Sequence, residues 1–269
     1  MSMDSLVTLQ KEGPIAVVTL NRPDKYNGLT IPMLRELIAT AKRIRRDRTL
    51  RAVVLRGEGP AFSAGLDFAN ATKKPLEIVK AFLRNPLRPR NTFQEAAWCW
   101  RNLPIPVIAA IHGHCYGAGL QVALAADFRD CAPDARLSLM EARWGMVPDL
   151  TGTLVLRELM PLDTAKDLVM HGTVLSGEEA KAINLVTALA DDPYAAAMER
   201  AQQLALRSPD AVSGTKKLLQ ANWNASERRA FRNERTVQLR ILIGKNQSRA
   251  MKANFAGEEP RFGPRSKLL

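Results

Sequence analysis

Two stretches decide the fold: Gly59-Pro60-Ala61-Phe62-Ser63-Ala64-Gly65-Leu66-Asp67-Phe68 and His112-Gly113-His114-Cys115-Tyr116-Gly117-Ala118-Gly119-Leu120-Gln121. Each follows an apolar run typical of a strand, residues 52–55 in the first case and 107–111 in the second. Each is rich in small side chains and leads into a pattern typical of a helix. A turn of this kind leaves backbone N–H groups at the start of a helix without intrahelical partners. Two such turns side by side predict a pair of N–H donors that hold one carbonyl oxygen, an oxyanion hole.

Other interpretations of the turns have less support. Small residues between a strand and a helix can serve tight packing alone, and for either turn taken singly this alternative stays open. Gly57-Glu58-Gly59 is similar to the start of a dinucleotide-binding fingerprint, but Pro60 follows and the third glycine is missing. Neither turn carries the lysine of a P-loop. Taken together, the turns favour an enzyme that stabilises an oxyanion.

Composition and charge limit the class of protein. The chain has 269 residues, enough for one large domain, and three cysteines without disulfide-framework spacing. Its net charge is +12, and residues 201–269 carry 14 Lys and Arg against 5 Asp and Glu. Aromatic side chains do not alternate with these cations, which argues against nucleic acid as a partner and favours an anionic ligand or solvated helix faces. We expect a cytoplasmic protein, because no stretch has the pattern of a membrane span or a signal peptide.

The order of predicted elements indicates an α/β protein. Strands are expected at residues 6–9, 15–20 and 52–55, with a helix that begins near Pro32 between the last two. This strand–strand–helix order recurs later in the chain, which favours stacked ββα units over a doubly wound sheet. From residue 195 onward the pattern is almost entirely helical.

Two predictions concern the organisation of the chain. Residues 69–95 lack clean periodicity and contain Lys73, Lys74 and Pro86, so we expect a basic, mobile flap there. We divide the chain into a core, residues 1–195, and a helical appendage, residues 196–269, that packs on the core or on a neighbouring subunit.

The carboxylates after the second turn are the candidates for proton transfer. Glu141 and Asp149 lie eight positions apart, with Trp144 and Pro148 between them. A carboxylate among apolar side chains is partly desolvated, which raises its pKa and suits it to acid–base chemistry near neutral pH. Two alternatives stay open: Asp149 as the N-cap of the following helix, and Glu141 as the ion-pair partner of a nearby arginine.

Other chemistries have weaker signals. His112, His114 and Cys115 lie together at a strand exit, but no distant cluster completes a metal site, so no metal is expected. Ser63 does not stand in a Gly-x-Ser-x-Gly turn, which argues against a Ser-His-Asp triad.

Four motifs follow one another along the chain: Asn21-Arg22-Pro23-Asp24-Lys25-Tyr26-Asn27-Gly28-Leu29, then residues 62–67, 113–119 and 125–128. In this order they resemble the enoyl-CoA hydratase/isomerase (crotonase) superfamily over essentially the full length of the chain. The resemblance implies a crotonase-like spiral of ββα units with C-terminal helices that mediate trimerisation, and either a homo-trimer or a hexamer of two trimers. It implies an acyl-CoA thioester substrate, with no cofactor besides the coenzyme A of that substrate.

The resemblance also assigns roles to individual residues. It places the oxyanion hole at the backbone N–H groups of Leu66 and Ala118, and the coenzyme A phosphates near Lys25. Phe255 resembles the C-terminal aromatic residue that helps close the acyl pocket. Further substrate contacts are expected at Asn27, Leu29, Ala64, Asp67, Tyr116, Gly119, Gln121, Trp144 and Pro148.

Departures from the family pattern decide which reaction is favoured. Family hydratases use two glutamates on one water, but the first matches Gln121 here, and an amide does not exchange a proton near neutral pH. Asp149 falls where dienoyl-CoA isomerases of the family place an aspartate base, and Glu141 matches their glutamate acid. The match is incomplete, because those isomerases carry a further acid at the Gln121 position. We predict an isomerase that moves a double bond through a thioester enolate.

Three alternatives remain. A hydratase in which Gln121 and Glu141 share the water ranks first among them. A dehalogenase of aryl-CoA thioesters would use Asp149 as a nucleophile, but such enzymes lack a glutamate at the Glu141 position. A non-catalytic binder of acyl-CoA or RNA is the alternative from a different class, and its motive is the positive charge of residues 201–269.

Overall fold

The structure is a computed structural model and describes residues 5–71, 75–83 and 89–267. Within these ranges the chain forms nine strands and twelve α-helices. The strands are β1 (Val7–Glu12), β2 (Ile15–Leu20), β3 (Ala52–Gly57), β4 (Val107–Ile111), β5 (His114–Tyr116), β6 (Phe128–Cys131), β7 (Arg136–Ser138), β8 (Leu175–Ser176) and β9 (Ala188–Leu189). The helices are α1 (Ile31–Arg46), α2 (Phe68–Ala71), α3 (Pro75–Phe82), α4 (Thr92–Arg101), α5 (Ala118–Leu124), α6 (Gly152–Leu159), α7 (Leu162–His171), α8 (Gly177–Ala182), α9 (Pro193–Ala205), α10 (Pro209–Asn222), α11 (Glu227–Leu242) and α12 (Lys245–Ala256).

The larger of two sheets has the strand order β1-β2-β3-β4-β6-β9. β1 is antiparallel to β2, and the other neighbours are parallel. Parallel strands need cover on both faces, and the central strands β2, β3 and β4 are accordingly mostly apolar. On one face Val18 and Leu55 join the main core, which includes α1 and α4. On the other face Val17 and Val54 pack against Ala197 of α9.

The smaller sheet forms a second layer beside the first. β5 is parallel to β7, and β7 is antiparallel to β8. The chain leaves the larger sheet after β4, adds β5 to the second layer and then forms α5; after β6 it adds β7 to the same layer. The predicted α/β architecture of stacked ββα units is confirmed by this repeated path.

Helix α1 shows how the sequence builds an element that covers the sheet. Thr30 is its N-cap and accepts a hydrogen bond from the N–H of Met33, and Pro32 lies in the first turn, where a missing N–H costs nothing. Leu34 and Leu37 lie on its buried face. Basic residues occupy the last turn, where they complement the helix dipole.

The predicted flap at 69–95 contains more regular structure than its sequence indicates. α3 lies within it, and α4 begins at Thr92 with a capping box formed by Asn91 and Gln94. Phe82 at the end of α3 packs on Phe93, with ring centroids 4.6 Å apart. The described part of this segment is therefore helical and packed against the core. Lys73, Lys74 and Pro86 lie outside the described residues.

The predicted boundary between residues 195 and 196 falls inside a helix. α9 spans that position, and Ala197 and Ala201 are buried against the larger sheet. The core formed by residues 1–195 therefore needs the rest of α9, and the helical appendage that packs mainly on itself begins at α10. Of the described helices, none combines the length and apolar character that a membrane span requires.

Candidate active site

The candidate site lies at the carboxyl edge of the larger sheet. β2, β3 and β4 are neighbouring parallel strands, so the segments that follow them leave the sheet at the same edge. These segments are residues 21–30, 58–67 and 112–117. They contain the motifs at 21–29 and 62–67 and most of the motif at 113–119, which ends in the first turn of α5.

Backbone pairing holds the three segments together. Leu29 pairs with Leu66, and Ser63 pairs with Cys115, each in an isolated parallel bridge. In the first bridge the N–H of Leu29 donates to the carbonyl oxygen of Gly65 at 2.7 Å. The two small-residue turns therefore lie side by side.

Among the described residues, no backbone acceptor is found for the N–H groups of Leu66 and Ala118, one in each turn. The parallel bridge to Leu29 uses the backbone groups of the residues on either side of Leu66, which leaves its own N–H free. Ala118 is the first residue of α5, and no side chain caps that helix. Free N–H groups at such positions are available to an oxygen atom of a ligand.

Gly65 brings the two donors close to each other. Its φ is +89°, and a Cβ atom there would lie 2.9 Å from the carbonyl oxygen of Tyr116, so the approach of the turns requires glycine. The same Cβ position is 3.7 Å from the nitrogen of Ala118. The nitrogen of Leu66 is bonded to the carbonyl carbon of Gly65. The predicted oxyanion-hole donors thus occupy adjoining positions.

Glu141 lies beside these donors. It begins a 3-10 turn (Glu141–Trp144) and is only 7% exposed. Its Oε1 lies 3.5 Å from the position that a Cβ atom on Gly117 would occupy, one residue before Ala118. Its Oε2 is buried and has no hydrogen-bond partner among the described residues. Burial raises the pKa of Glu141, and the charge of Asp149 adds to the rise.

Gln121 is buried and links Glu141 to the start of α6 through hydrogen bonds. Its Nε2 donates to Oε1 of Glu141 at 2.7 Å, and its Oε1 accepts from the N–H groups of Leu150 at 2.9 Å and Gly152 at 3.1 Å. Its side chain has no exposed surface. The amide of Gln121 is therefore used inside the protein, and the substrate contact expected at this residue stays a prediction. The arginine partner considered for Glu141 is wrong: its side-chain partner among the described residues is Gln121.

Asp149 does not cap the following helix. α6 begins at Gly152, and its N-cap is Thr151, held at φ +71° without a side-chain cap. The capping interpretation of Asp149 is therefore wrong. The N–H of Gly152, at the start of α6, donates instead to the side-chain Oε1 of Gln121. Burial raises the pKa of Asp149, as it does that of Glu141. Two carboxyl groups with raised pKa values thus lie within electrostatic reach of each other, an arrangement typical of acid–base sites.

An apolar surface adjoins the two carboxyl groups along the chain. Trp144 is 60% exposed and stacks on Phe68, with ring centroids 5.1 Å apart. Met146 and Val147 extend the exposed apolar surface toward the half-buried Pro148. Such a surface suits a hydrocarbon chain. The substrate contacts expected at Trp144 and Pro148 stay predictions. Phe68, which stacks on Trp144, was not among the expected residues, and its only signal was an aromatic side chain at the end of the first turn.

Three expected substrate contacts use their side chains within the fold. Asn27 is fully buried, and both N–H groups of its amide donate to backbone carbonyls, those of Glu58 and Ala61. Leu29 is fully buried in the main core. Asp67 accepts a hydrogen bond from Nη2 of Arg22 at 3.1 Å in a largely buried ion pair. These three side chains therefore hold the turns together, and the substrate contacts expected at the three residues stay predictions.

Gly119 also has a packing role. A Cβ atom at this position would lie 2.6 Å from both Cβ and Oγ of Ser63, so α5 approaches the first turn at Gly119. Ser63 in turn donates to the carbonyl of Asn27 at 2.9 Å and accepts from the N–H of Gly65 at 3.2 Å. Sequence reasoning missed this organising role of Ser63. The missed signal was a hydroxyl group inside a turn of otherwise small side chains.

The remaining predicted contacts differ in accessibility. Lys25 and Ala64 are exposed and Tyr116 is half-buried, so their predicted substrate contacts stay predictions. Phe255 is 85% exposed on α12, a helix that packs against α10 and α11. The prediction that Phe255 helps close the acyl pocket stays a prediction.

The described residues hold no group of three or more His, Cys, Asp or Glu arranged for a metal ion. The three cysteines are buried free thiols.

Comparison with known proteins shows which family the chain is similar to. The sequence profile of the family described as Enoyl-CoA hydratase/isomerase matches residues 10–262. (E)-benzylidenesuccinyl-CoA hydratase of Thauera aromatica is 31% identical over 215 residues, which cover 78% of this chain and 80% of that protein. Mitochondrial methylglutaconyl-CoA hydratase of Mus musculus is 31% identical over 205 residues, which cover 74% of this chain and 63% of the mouse protein. The chain thus spans less than two thirds of the mouse relative's length.

Solved structures resemble nearly the whole chain. Enoyl-CoA hydratase from Bacillus anthracis superposes with a TM-score of 0.86 at 25% identity, covering 96% of this chain and 98% of that one. A protein from Thermobifida fusca YX, solved in complex with CoA, superposes with a TM-score of 0.77 at 31% identity, covering 94% and 95% of the two chains. These likenesses confirm the crotonase-like fold expected from the sequence motifs.

Proposed function

The chain belongs to the enoyl-CoA hydratase/isomerase family, and from this premise we propose that it is an acyl-CoA isomerase that shifts a double bond through a thioester enolate. The observation that carries the proposal is a pair of carboxyl groups with raised pKa values: Glu141 lies beside the turn that presents the N–H of Ala118, and Asp149 is close enough to Glu141 for its charge to raise the pKa of Glu141. The side-chain amide of Gln121 is buried and hydrogen-bonded within the protein, so we assign the proton transfers to the two carboxyl groups. No cofactor is required besides the coenzyme A of the substrate.

The two N–H groups supply the electrostatic part of the reaction. The thioester oxygen would lie between the N–H groups of Leu66 and Ala118. Negative charge that develops on this oxygen in the enolate is then stabilised by donors already in place, and one such donor is typically worth about 10²–10³ in rate. Lys25, exposed near the same edge of the sheet, is the proposed partner of the coenzyme A phosphates.

The two carboxyl groups supply the proton transfers. Burial raises the pKa of both carboxyl groups, and the charge of Asp149 raises that of Glu141 further. In the proposed cycle Asp149 begins ionised, as the base, and Glu141 begins protonated, as the acid. Asp149 removes a proton from carbon, and the electron pair of that C–H bond moves through the conjugated system onto the thioester oxygen. The unpartnered Oε2 of Glu141 then delivers its proton to a different carbon of the dienolate. Proton exchange with solvent restores the starting state.

Isotope exchange tests this proposal. Dienoyl-CoA and enoyl-CoA substrates are incubated with the enzyme in heavy water, and NMR follows double-bond position and deuterium content. We expect isomerisation with deuterium at the carbon protonated by Glu141, and loss of both in Asp149→Asn and Glu141→Gln. Absence of isomerisation and of deuterium uptake in the wild-type protein would refute the isomerase function.

Hydration is the second candidate, and the names of the relatives favour it, since both the Thauera aromatica and Mus musculus proteins are named hydratases. Water would add to an enoyl thioester with Glu141 as the general acid–base. Because Gln121 has no exposed surface, its predicted sharing of the water is not part of this candidate. Formation of a 3-hydroxyacyl-CoA that is insensitive to Asp149→Asn would select hydration over isomerisation.

Self-association completes the proposal. Exposed apolar side chains lie along the last two helices: Leu239 on α11, Ile243 directly after α11, and Phe255 on α12. Large exposed apolar surfaces on a water-soluble chain mark interaction sites. We propose that these helices join copies of the chain into a trimer or a hexamer, with the cytoplasm as its location.

A further inference from the structure

The side chain of Gln121 joins the two segments that carry the proposed acid and base. One end of its amide donates to Glu141, and the other accepts from the backbone at Leu150 and Gly152, directly after Asp149. Gln121 itself is held by α5, and its backbone N–H donates to Gly117 at 3.0 Å. The helix that presents the N–H of Ala118 therefore also fixes both carboxyl-bearing segments.

The amide can adopt only one orientation here. The carbonyl oxygen must face the two N–H donors, and the NH₂ group must face the carboxylate oxygen of Glu141, because the reverse orientation would oppose donors to donors and acceptors to acceptors. A side chain that is donor at one end and acceptor at the other therefore fits this position.

We propose that Gln121 is a positioning residue that sets the location of Glu141 relative to Asp149 and selects Oε2 of Glu141 as the proton-transfer atom. Oε1 of Glu141 is occupied by the amide at 2.7 Å, whereas Oε2 has no partner among the described residues. The proposal rests on the proposed acid–base roles of the two carboxyl groups. Gln121 exchanges no proton itself and acts through Glu141.

Two substitutions separate this role from simple packing. Gln121→Met keeps the approximate volume but removes both the donor and the acceptor. Gln121→Glu keeps an acceptor for the N–H groups of Leu150 and Gly152 but lacks the obligatory donor toward Glu141. The introduced carboxyl can bond Glu141 only when one proton is shared between the two groups, and at higher pH the two charges repel.

Gln94 provides the matched control. It also lies at a helix N-terminus, where its Oε1 accepts the N–H of Asn91 in the capping box of α4. Gln94→Met therefore removes a comparable helix-terminal hydrogen bond without touching Glu141. Thermal unfolding of Gln94→Met measures the stability lost with such a hydrogen bond. The loss of stability in Gln121→Met is compared with that value.

The decisive readout is the titration of Glu141, followed by carbon-13 NMR of glutamate carboxyl groups in the wild-type chain and the three variants, with Glu141→Gln as the assignment control. The hydrogen bond from Gln121 lowers the pKa of Glu141, so we expect Gln121→Met to raise it. Gln121→Glu should produce two coupled steps, and Gln94→Met should leave the titration unchanged. Turnover should fall by about 10²-fold in Gln121→Met with little change in KM, because the acid is displaced from its working position. In Gln121→Glu the activity relative to wild type should fall as pH rises.

The titration of Glu141 tests the positioning role of Gln121, and the activity measurement tests the proposed isomerase function. An unchanged Glu141 titration in Gln121→Met and Gln121→Glu, together with a loss of stability like that of Gln94→Met, would overturn the positioning role. A shifted Glu141 titration in a protein that catalyses no isomerisation would leave Gln121 as the residue that holds Glu141 and would instead refute the proposed function.

Discussion

At the scale of single residues, the backbone N–H of Ala118 can be removed by one substitution, to proline, which has no backbone N–H. Ala118 is the first residue of α5, a position that tolerates proline because its N–H makes no intrahelical bond. We expect Ala118→Pro to fold and to lose about 10²–10³ in kcat, the usual cost of one oxyanion-hole donor. Steady-state kinetics with acyl-CoA substrates and circular dichroism measure the two quantities.

Ala118→Gly is the matched control, because it changes the side chain and keeps the N–H. Its kcat should stay close to that of the wild-type protein. Equal losses in Ala118→Pro and Ala118→Gly would mean that the side chain or the helix, and not the N–H, matters for catalysis.

The carboxyl group of Glu141 gives a prediction about stability. Burial raises its pKa in the folded protein, so folding favours the protonated form. Its contribution to stability is fully present below the pKa of the unfolded chain and is lost as pH rises through the folded pKa. Glu141→Gln, which stays neutral, should therefore melt at a higher temperature than wild type at pH 7 and at a similar temperature at about pH 4. Asp134→Asn, at an exposed position, is the control; an equal shift in both variants would contradict the burial effect on Glu141.

The sequence allowed the chemical groups of the site to be predicted, but not how each one is used. Glu141 and Asp149 are recognisable as carboxyl groups in an apolar stretch, and the free amides follow from the small-residue turns. Asn27 and Gln121 were expected at the substrate, yet both bond to backbone groups from distant parts of the chain. Such partners depend on three-dimensional proximity, which residue type and spacing alone do not determine.

At the scale of elements, the packing of α5 on the first turn depends on Gly119. A Cβ atom there would lie 2.6 Å from the Cβ of Ser63. We expect Gly119→Ala to destabilise the protein by about 1–3 kcal/mol through overpacking, although alanine has the better helix propensity. Urea denaturation measures the change.

A double-mutant cycle with Ser63→Gly identifies the cause of this loss. Removing the Ser63 side chain makes room for the new methyl group, so the double variant should be more stable than the sum of the two single changes indicates. Additive losses would show that the two positions do not collide.

Local sequence patterns were sufficient to predict some of the helices and strands but not others. Strands with apolar runs and α1, with its buried stripe and Pro32, follow from local pattern. α3 was expected to be part of an irregular flap, because residues 69–95 lack clean periodicity. In the structure several apolar side chains of α3 stay exposed in the single chain, so burial gives this helix little sequence signal. The boundary placed at residue 195 missed that α9 covers the larger sheet, since small residues such as Ala197 give little periodic signal.

At the scale of the whole molecule, the exposed apolar surface of the C-terminal helices predicts self-association. Sedimentation equilibrium should give three or six times the chain mass of 29.7 kDa. Ile243→Glu, at a side chain that is 76% exposed, should shift the protein toward the single chain while its circular dichroism stays the same. A wild-type protein that sediments as a single chain would contradict the role of these helices.

The most direct measurement of the central claim observes the thioester carbonyl itself. Isotope-edited infrared spectroscopy compares a carbon-13 thioester of a saturated acyl-CoA free in solution and bound to the protein. If the N–H groups of Leu66 and Ala118 both hold the oxygen, the carbonyl stretch of the bound ligand moves to lower frequency, and Ala118→Pro reverses part of that shift. A bound carbonyl that absorbs at its solution frequency, or one whose shift is the same in Ala118→Pro, would contradict the oxyanion hole.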